Sequence, residues 1–184
     1  MIRRKDKIII AAMELLDQGG VLNVTTRNLA ERQSISEPAL YRQFKNKYEI
    51  FVAMINELSS YDEKIMNTIS ENEMKGLDAV IYYVTRYSEL YQSYSELTTI
   101  LYSMDLYFYD ENTKKMVADI LEMRDDFLKN QLNKYPIKDC SLLPRELALS
   151  INELLFVEVF KWKLKGKSYN LTESVINRTM SLMR

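Results

Sequence analysis

Histidine is missing from this sequence of 184 residues, and cysteine occurs once, as Cys140. The chain therefore lacks the commonest metal ligand and the commonest general base, and it allows no internal disulfide. Glycine-rich phosphate loops, paired-carboxylate sites and clusters of metal ligands are also missing from the sequence. We therefore expect no enzyme activity, no metal site and no cofactor, while a role for Cys140 as an exposed thiol sensor stays open.

Glycine and proline are scarce, with 4 and 3 residues, although 47% of the residues are hydrophobic. A chain with so few helix breakers can bury a core between long helices. No apolar run reaches the length of a transmembrane helix, and the basic N-terminal segment becomes amphipathic, with Glu14 inside it, unlike a signal peptide. We expect a cytoplasmic protein with no membrane association.

The charge of the chain is small in total but uneven along its length. Residues 1–50 contain nine lysines and arginines against six acidic residues, whereas the rest contains sixteen against twenty. A basic N-terminal part on an acidic remainder fits a protein that meets an anion at one end only.

Apolar residues recur every three or four positions, which predicts an all-α protein without strands or internal repeats. A first helix is expected over about residues 3–18, ended by Gly19 and Gly20, and a second one after a cap at Thr25 or Thr26. A tight turn then leads to a short third helix behind Ser36. Two short helices joined by about three residues have the proportions of a helix-turn-helix.

The remaining sequence predicts longer helices. A fourth helix is expected over about residues 47–70, behind a capping box made by Asn46 and Glu49. An aromatic-rich helical region begins at residue 76, and a further helix is expected over about residues 112–134. The last two helices are expected from Pro144 to Gly166 and after a capping box that begins at Asn170.

The segment VTTRNLAERQSISEPALYRQFKNKYEIF, residues 24–51, resembles the DNA-binding domain of the tetracycline-repressor (TetR) family of bacterial regulators. The shared features are Thr-Thr-Arg before Leu-Ala, an Ile-Ser turn, a Leu-Tyr pair, a phenylalanine three residues later and a lysine that opens the next helix. The resemblance covers about residues 5–58. It implies about nine helices, a helix-turn-helix domain over residues 1–47, a ligand-binding and dimerisation domain over residues 48–184, and homodimers formed through the last two helices.

The resemblance also implies which residues meet double-stranded DNA, namely Thr26, Arg27, Ser36, Glu37, Pro38, Ala39, Tyr41, Arg42 and Lys47. Thr26, Tyr41 and Lys47 are expected at phosphates, and Arg27 near a base edge. Pro38 and Ala39 are expected to present apolar surface in the major groove, where a thymine methyl is a natural neighbour. Glu37 and Arg42 occupy positions that vary in the family and would help to choose the operator, by contacts to cytosine, guanine or a phosphate.

The function that this implies is a ligand-responsive repressor, which binds a near-palindromic operator and is released by a small hydrophobic or aromatic effector. Tyrosine and methionine are abundant, with 13 and 10 residues, and they suit an adaptable cavity that offers hydroxyl groups. Met66, Tyr83, Tyr87 and Tyr102 are hypothetical lining residues, although ordinary core packing explains each tyrosine as well. An alternative is a DNA-binding protein whose body binds a protein partner, as in the nucleoid-occlusion members of the family.

Overall fold

A computed structural model describes residues 3–138 and 140–183 of the chain. Over these residues the protein has ten helices and no strand, so the prediction of an all-α fold is confirmed. The helices are α1 (Arg4–Asn23), α2 (Thr26–Arg32), α3 (Glu37–Tyr41), α4 (Lys47–Glu71), α5 (Gly76–Ser93), α6 (Ser95–Tyr102), α7 (Met104–Tyr107), α8 (Glu111–Lys134), α9 (Pro144–Leu164) and α10 (Leu171–Leu182). None of the helices in the described ranges combines the length and hydrophobicity that crossing a membrane requires.

The chain divides into two compact units. The first contains Met1–Ser60 and Glu96–Asp119, and the second contains Tyr61–Ser95 and Ile120–Arg184. Helix α4 contributes residues to both units. The boundary predicted between residues 47 and 48 stays a prediction. The segment that carries α7 also belongs to the unit of the N-terminal helices.

In the first unit, α1 reaches further than its glycine pair predicts. Gly19 and Gly20 have the non-helical backbone angles expected of a stop signal, and Gly20 has a φ of 69°. The chain then resumes a helical turn that ends at Asn23, whose side-chain amide donates to the carbonyl oxygen of Leu15 at 3.0 Å. The glycines therefore kink α1 rather than ending it.

Side-chain caps fix the starts of the next helices. Thr25 accepts a hydrogen bond from the backbone N–H of Asn28 at 3.0 Å, which confirms a cap at the start of α2. Asn46 accepts from the backbone N–H of Glu49 at 2.9 Å, and the Glu49 carboxylate accepts from the backbone N–H of Lys45 at 2.8 Å. This is the predicted capping box, except that the Glu49 carboxylate accepts from the backbone N–H of Lys45 instead of that of Asn46.

The turn between α2 and α3 is closed without glycine. Ser34 adopts a φ of 51°, a left-handed conformation that glycine takes at lower cost. The backbone N–H of Ile35 reaches back to the carbonyl oxygen of Ala30 at 2.9 Å, which completes the turn. Leu29, Leu40 and Phe44 are buried and hold the two short helices together.

In the second unit, α10 packs on α5 and α9. Asn170 caps α10 by accepting from the backbone N–H of Glu173 at 3.0 Å, as its sequence predicts. Trp162 of α9 is buried, and its indole N–H donates to the carbonyl oxygen of Tyr169 at 2.9 Å. The core of this unit includes three fully buried tyrosines of α5, Tyr83, Tyr87 and Tyr91.

Candidate functional site

The helix-turn-helix presents a small polar and aromatic surface. Ser36, Glu37, Pro38, Tyr41 and Arg42 are all exposed, and Tyr41 keeps 49% of its surface accessible. Since α3 has only five residues, its exposed side is set by the burial of Leu40 beneath it. Five of the nine residues expected at DNA therefore share one accessible segment.

Ala39 is only 9% exposed and lies on the side of α3 that packs against the rest of the helix-turn-helix. Pro38 is exposed beside it. The contact of Ala39 with a thymine methyl stays a prediction.

The first turn of α2 is tied to α3 by a hydrogen bond. The Thr26 hydroxyl donates to the Glu37 carboxylate at 2.7 Å. Arg27 extends from the same turn into solvent and pairs with Glu31 at 2.9 Å, one turn further along α2. Both predicted α2 residues thus lie next to the exposed side of α3, but each is engaged with a carboxylate in the DNA-free protein.

Lys47 opens α4, as the sequence predicts, but its side chain turns inward. Its ammonium group donates to the carbonyl oxygen of Val21 at 2.7 Å and lies 5.1 Å from the ring centroid of Phe51 and 5.9 Å from that of Tyr109. Burial lowers the pKa of Lys47 from its ordinary value. This bond uses one of the three N–H donors of the ammonium group.

Residues 8–54, from α1 into α4, match the model of the bacterial regulatory proteins of the tetR family. The class C tetracycline repressor of Escherichia coli is 43% identical over 51 residues, which cover 28% of this chain and 23% of the repressor. The chain belongs to the TetR family. It is thus a DNA-binding transcriptional regulator.

Two longer similarities extend over the body of this TetR-family protein. The nucleoid occlusion factor SlmA of Aliivibrio fischeri (strain MJ11) is 25% identical over 156 residues, covering 83% of this chain and 78% of SlmA. The crystal structure of the transcriptional regulator FadR from Bacillus subtilis in complex with stearoyl-CoA has a TM-score of 0.76 at 19% identity. That match covers 98% of this chain and all of FadR, at 100%.

The four hypothetical ligand-lining residues belong to two different units. Met66, Tyr83 and Tyr87 are buried in the second unit, whereas Tyr102 is half-buried at the end of α6 in the first unit. The Tyr83 hydroxyl donates to the Asn152 side chain at 2.9 Å, and the Tyr87 hydroxyl donates to Asp62. The donors of these two hydroxyl groups are therefore engaged in hydrogen bonds within the protein.

Tyr87 belongs to a buried polar cluster that the sequence analysis missed. Asp62 of α4 accepts a hydrogen bond from Arg124 Nε of α8 at 2.7 Å, and both side chains are at least nine-tenths buried. The Arg124 guanidinium also lies over the Tyr87 ring, 4.7 Å from its centroid. Burial raises the pKa of Tyr91, a further neighbour of Arg124, to about 12, so its phenol is neutral at physiological pH.

The sequence did contain a signal for this cluster. Asp62 interrupts the apolar stripe of α4 between Leu58 and Ile65, and Arg124 stands between Ile120 and Leu128 on α8. A charge at a core position of an amphipathic helix is costly unless it is paired, so two such interruptions predict a buried pair.

A groove of about 590 Å³ lies on the outer side of α4 and α5. Its walls include Tyr61, Lys64, Tyr82, Arg86 and Tyr94. None of the four predicted lining residues reaches it. Elsewhere among the described residues, no group of cysteine, aspartate and glutamate side chains is placed to hold a metal ion.

Proposed function

We propose that this TetR-family protein is a repressor that binds a near-palindromic operator as a homodimer and is released by a small hydrophobic or aromatic effector. The observation that carries the proposal is the accessible side of α3. There Pro38, Tyr41 and Arg42 are exposed on a helix that is anchored through Leu40. An anchored short helix with accessible polar, aromatic and cationic groups suits the reading of base edges and phosphates in a major groove.

A second apolar face on α9 supports the homodimer. Leu147, Ile151, Leu155 and Val159 are buried along one side of this helix. Phe156, Phe160 and Leu164 are spaced four residues apart on the same helix and are 38%, 46% and 72% exposed. A contiguous apolar stripe of this kind on a soluble domain marks an interaction surface, and a second copy of α9 and α10 would cover it.

The effector is assigned to the second unit. Structural likeness to FadR, whose crystal structure contains stearoyl-CoA, favours a small-molecule effector with a hydrophobic part. Buried tyrosines and Met66 give this unit an interior that combines apolar walls with hydroxyl groups.

Release follows from differential binding. Two recognition helices can enter successive major grooves only when their separation matches the turn of the DNA. An effector that binds better to a form with another separation lowers the operator affinity by that difference. We propose α4 as the connecting element, because this one helix begins at Lys47 in the first unit and carries Asp62 in the second.

Selection of bound sequences from random duplex DNA tests the proposal. We expect a near-palindromic sequence to be enriched and its binding to weaken steeply with salt, because several phosphates are neutralised. Glu37→Gln should change the selected base at one position of each half-site, whereas Glu111→Gln on α8 should not. Enrichment of no sequence would contradict the proposal.

The second candidate function is a DNA-binding protein whose body binds a protein partner. Similarity to the nucleoid occlusion factor SlmA over 83% of this chain favours it. Crosslinking of proteins to the complex of this chain with its selected DNA distinguishes the two functions. A protein partner retained on the DNA complex supports this candidate, and dissociation of that complex by a small molecule supports the repressor.

A further inference from the structure

The groove on the outer side of α4 and α5 is an open space to which the proposed function gives no role. Its volume of about 590 Å³ lies within the range of small-molecule sites. Its walls belong to α4, to α5 and to Tyr94, the residue after α5, and all of them lie in the second unit. The groove is therefore formed within one compact unit of the chain.

Three tyrosines give the groove aromatic walls. Tyr61 and Tyr82 are half-buried, and Tyr94 keeps 52% of its surface accessible. Ile65, which is 7% exposed, and the half-buried Leu90 add apolar surface from α4 and α5. Tyrosine rings make edge and face contacts with other rings, so these walls suit a ligand that carries an aromatic ring.

The charged residues of the groove leave an excess of positive charge. Its lining contains two cations, Lys64 and Arg86, and one carboxylate, Glu89. Arg86 Nη1 donates to the Glu89 carboxylate at 2.7 Å. The ammonium group of Lys64 lies 4.8 Å from the centroid of the Tyr61 ring and, within the described ranges, pairs with no carboxylate. A ligand with a single negative charge would neutralise this excess.

The two cations favour a carboxylate over other charged groups. The bond to Glu89 uses Nη1 of Arg86, and a guanidinium carries five N–H donors, so others stay available. These donors form a planar fork that matches the two oxygens of a carboxylate, and the Lys64 ammonium adds donors from α4. A dianionic phosphate would leave one negative charge without a partner, and a cationic amine would increase the excess.

We propose that this groove binds an aromatic monocarboxylate, with Lys64 and Arg86 at the carboxylate and Tyr61, Tyr82 and Tyr94 around the ring. The proposal goes beyond the proposed function, because it assigns a ligand to a surface that lies outside the buried tyrosines considered for the effector. Binding at this groove can be measured without DNA, so its outcome does not depend on operator recognition.

Titration calorimetry of the full chain with β-naphthoate, β-naphthylmethanol and octanoate tests the ligand class. We expect β-naphthoate to bind, and its affinity to fall as salt is added, because the groove is open to solvent. The uncharged alcohol should bind about tenfold more weakly, and octanoate, which lacks the ring, about threefold more weakly. No binding of β-naphthoate, or equal binding of the alcohol or of octanoate, would overturn the proposal.

Lys64→Gln and Arg86→Gln locate the carboxylate. Each should weaken β-naphthoate binding about fivefold and leave binding of the alcohol unchanged. Both side chains are exposed, so the variants should unfold at the temperature of the natural protein. The control is Lys75→Gln, since the Lys75 ammonium lies 5.3 Å from the Tyr135 ring centroid, outside the groove, in a similar contact.

Two results with these proteins would overturn the site. Equal β-naphthoate binding by both groove variants and the Lys75→Gln control would show that the carboxylate is held elsewhere. A protein partner that crosslinks to the groove, together with no binding of β-naphthoate, would identify the groove as a protein-docking surface.

Discussion

Lys47 begins α4, as its sequence motif implies, and its side chain makes contacts within the first unit. Its ammonium group donates to the Val21 carbonyl and lies beside Phe51 and Tyr109. A lysine at a helix N-terminus, next to free backbone N–H groups, makes a strong phosphate site. The two roles are compatible, because the ammonium group has three N–H donors and the Val21 carbonyl accepts from one of them.

Lys47→Met tests this phosphate contact, because methionine keeps the apolar stem and removes the charge. The slope of log affinity against log salt should fall by about 1.8, the contribution of two phosphate contacts, one from each subunit of the dimer. The free energy of unfolding should change by less than about 1 kcal/mol, since the Val21 carbonyl also accepts from the backbone N–H of Val24. Lys129→Met on α8 is the control, and a slope equal to that control would show that Lys47 makes no phosphate contact.

At the residue scale, the sequence was most informative where a motif specifies the exposed side. It predicted an accessible segment with Pro38, Tyr41 and Arg42. The burial of Ala39 was not predictable, because a helix of five residues is too short for periodicity to define a face. The Asp62–Arg124 pair was missed although its signal was present. The pairing joins residues 62 positions apart, and no local pattern connects them.

The turn between α2 and α3 is an element whose geometry depends on one backbone conformation. Ser34 has a φ of 51°, which a side chain with a Cβ adopts at a cost of roughly 1–2 kcal/mol. Ser34→Gly should raise the free energy of unfolding by up to about 1 kcal/mol. Ser34→Val should lower the free energy of unfolding by about 1 kcal/mol or more, because a β-branched side chain is strained at this φ. Equal destabilisation by both substitutions in chemical denaturation would contradict this account of the turn.

Helix α9 is the element that the homodimer depends on. Phe160→Lys should shift sedimentation of the protein towards the monomer, because it places a charge in the exposed stripe of Phe156, Phe160 and Leu164. The control is Phe108→Lys in the first unit, where the side chain is 69% exposed and lies outside that stripe. A dimer that is equally stable in both variants would contradict the assignment of the interface to α9.

Element boundaries were predictable where caps or glycines mark them. Thr25, Asn46 and Asn170 begin helices as their side chains predict. The breaks after α5 and α6 were not predicted, because the backbone departs from the helix at Tyr94 and Ser103 without a glycine or proline. The family resemblance implied about nine helices, and the described residues form ten, including the four-residue α7.

At the scale of the whole molecule, family membership establishes a DNA-binding regulator, while the dimer and the effector are our proposals. In our proposals, the accessible side of α3 binds DNA and the exposed stripe of α9 binds a second copy. Either surface can therefore be altered without changing the residues of the other.

The spacing of operator half-sites provides the most direct test of the central claim, a dimer with two recognition helices in successive major grooves. Inserting five base pairs, about half a helical turn, between the half-sites of the selected operator rotates one half-site to the opposite side of the DNA. We predict that affinity then falls to that of a single half-site. An affinity unchanged by the insertion would contradict the account, because it would mean that the two half-sites are not read by one dimer.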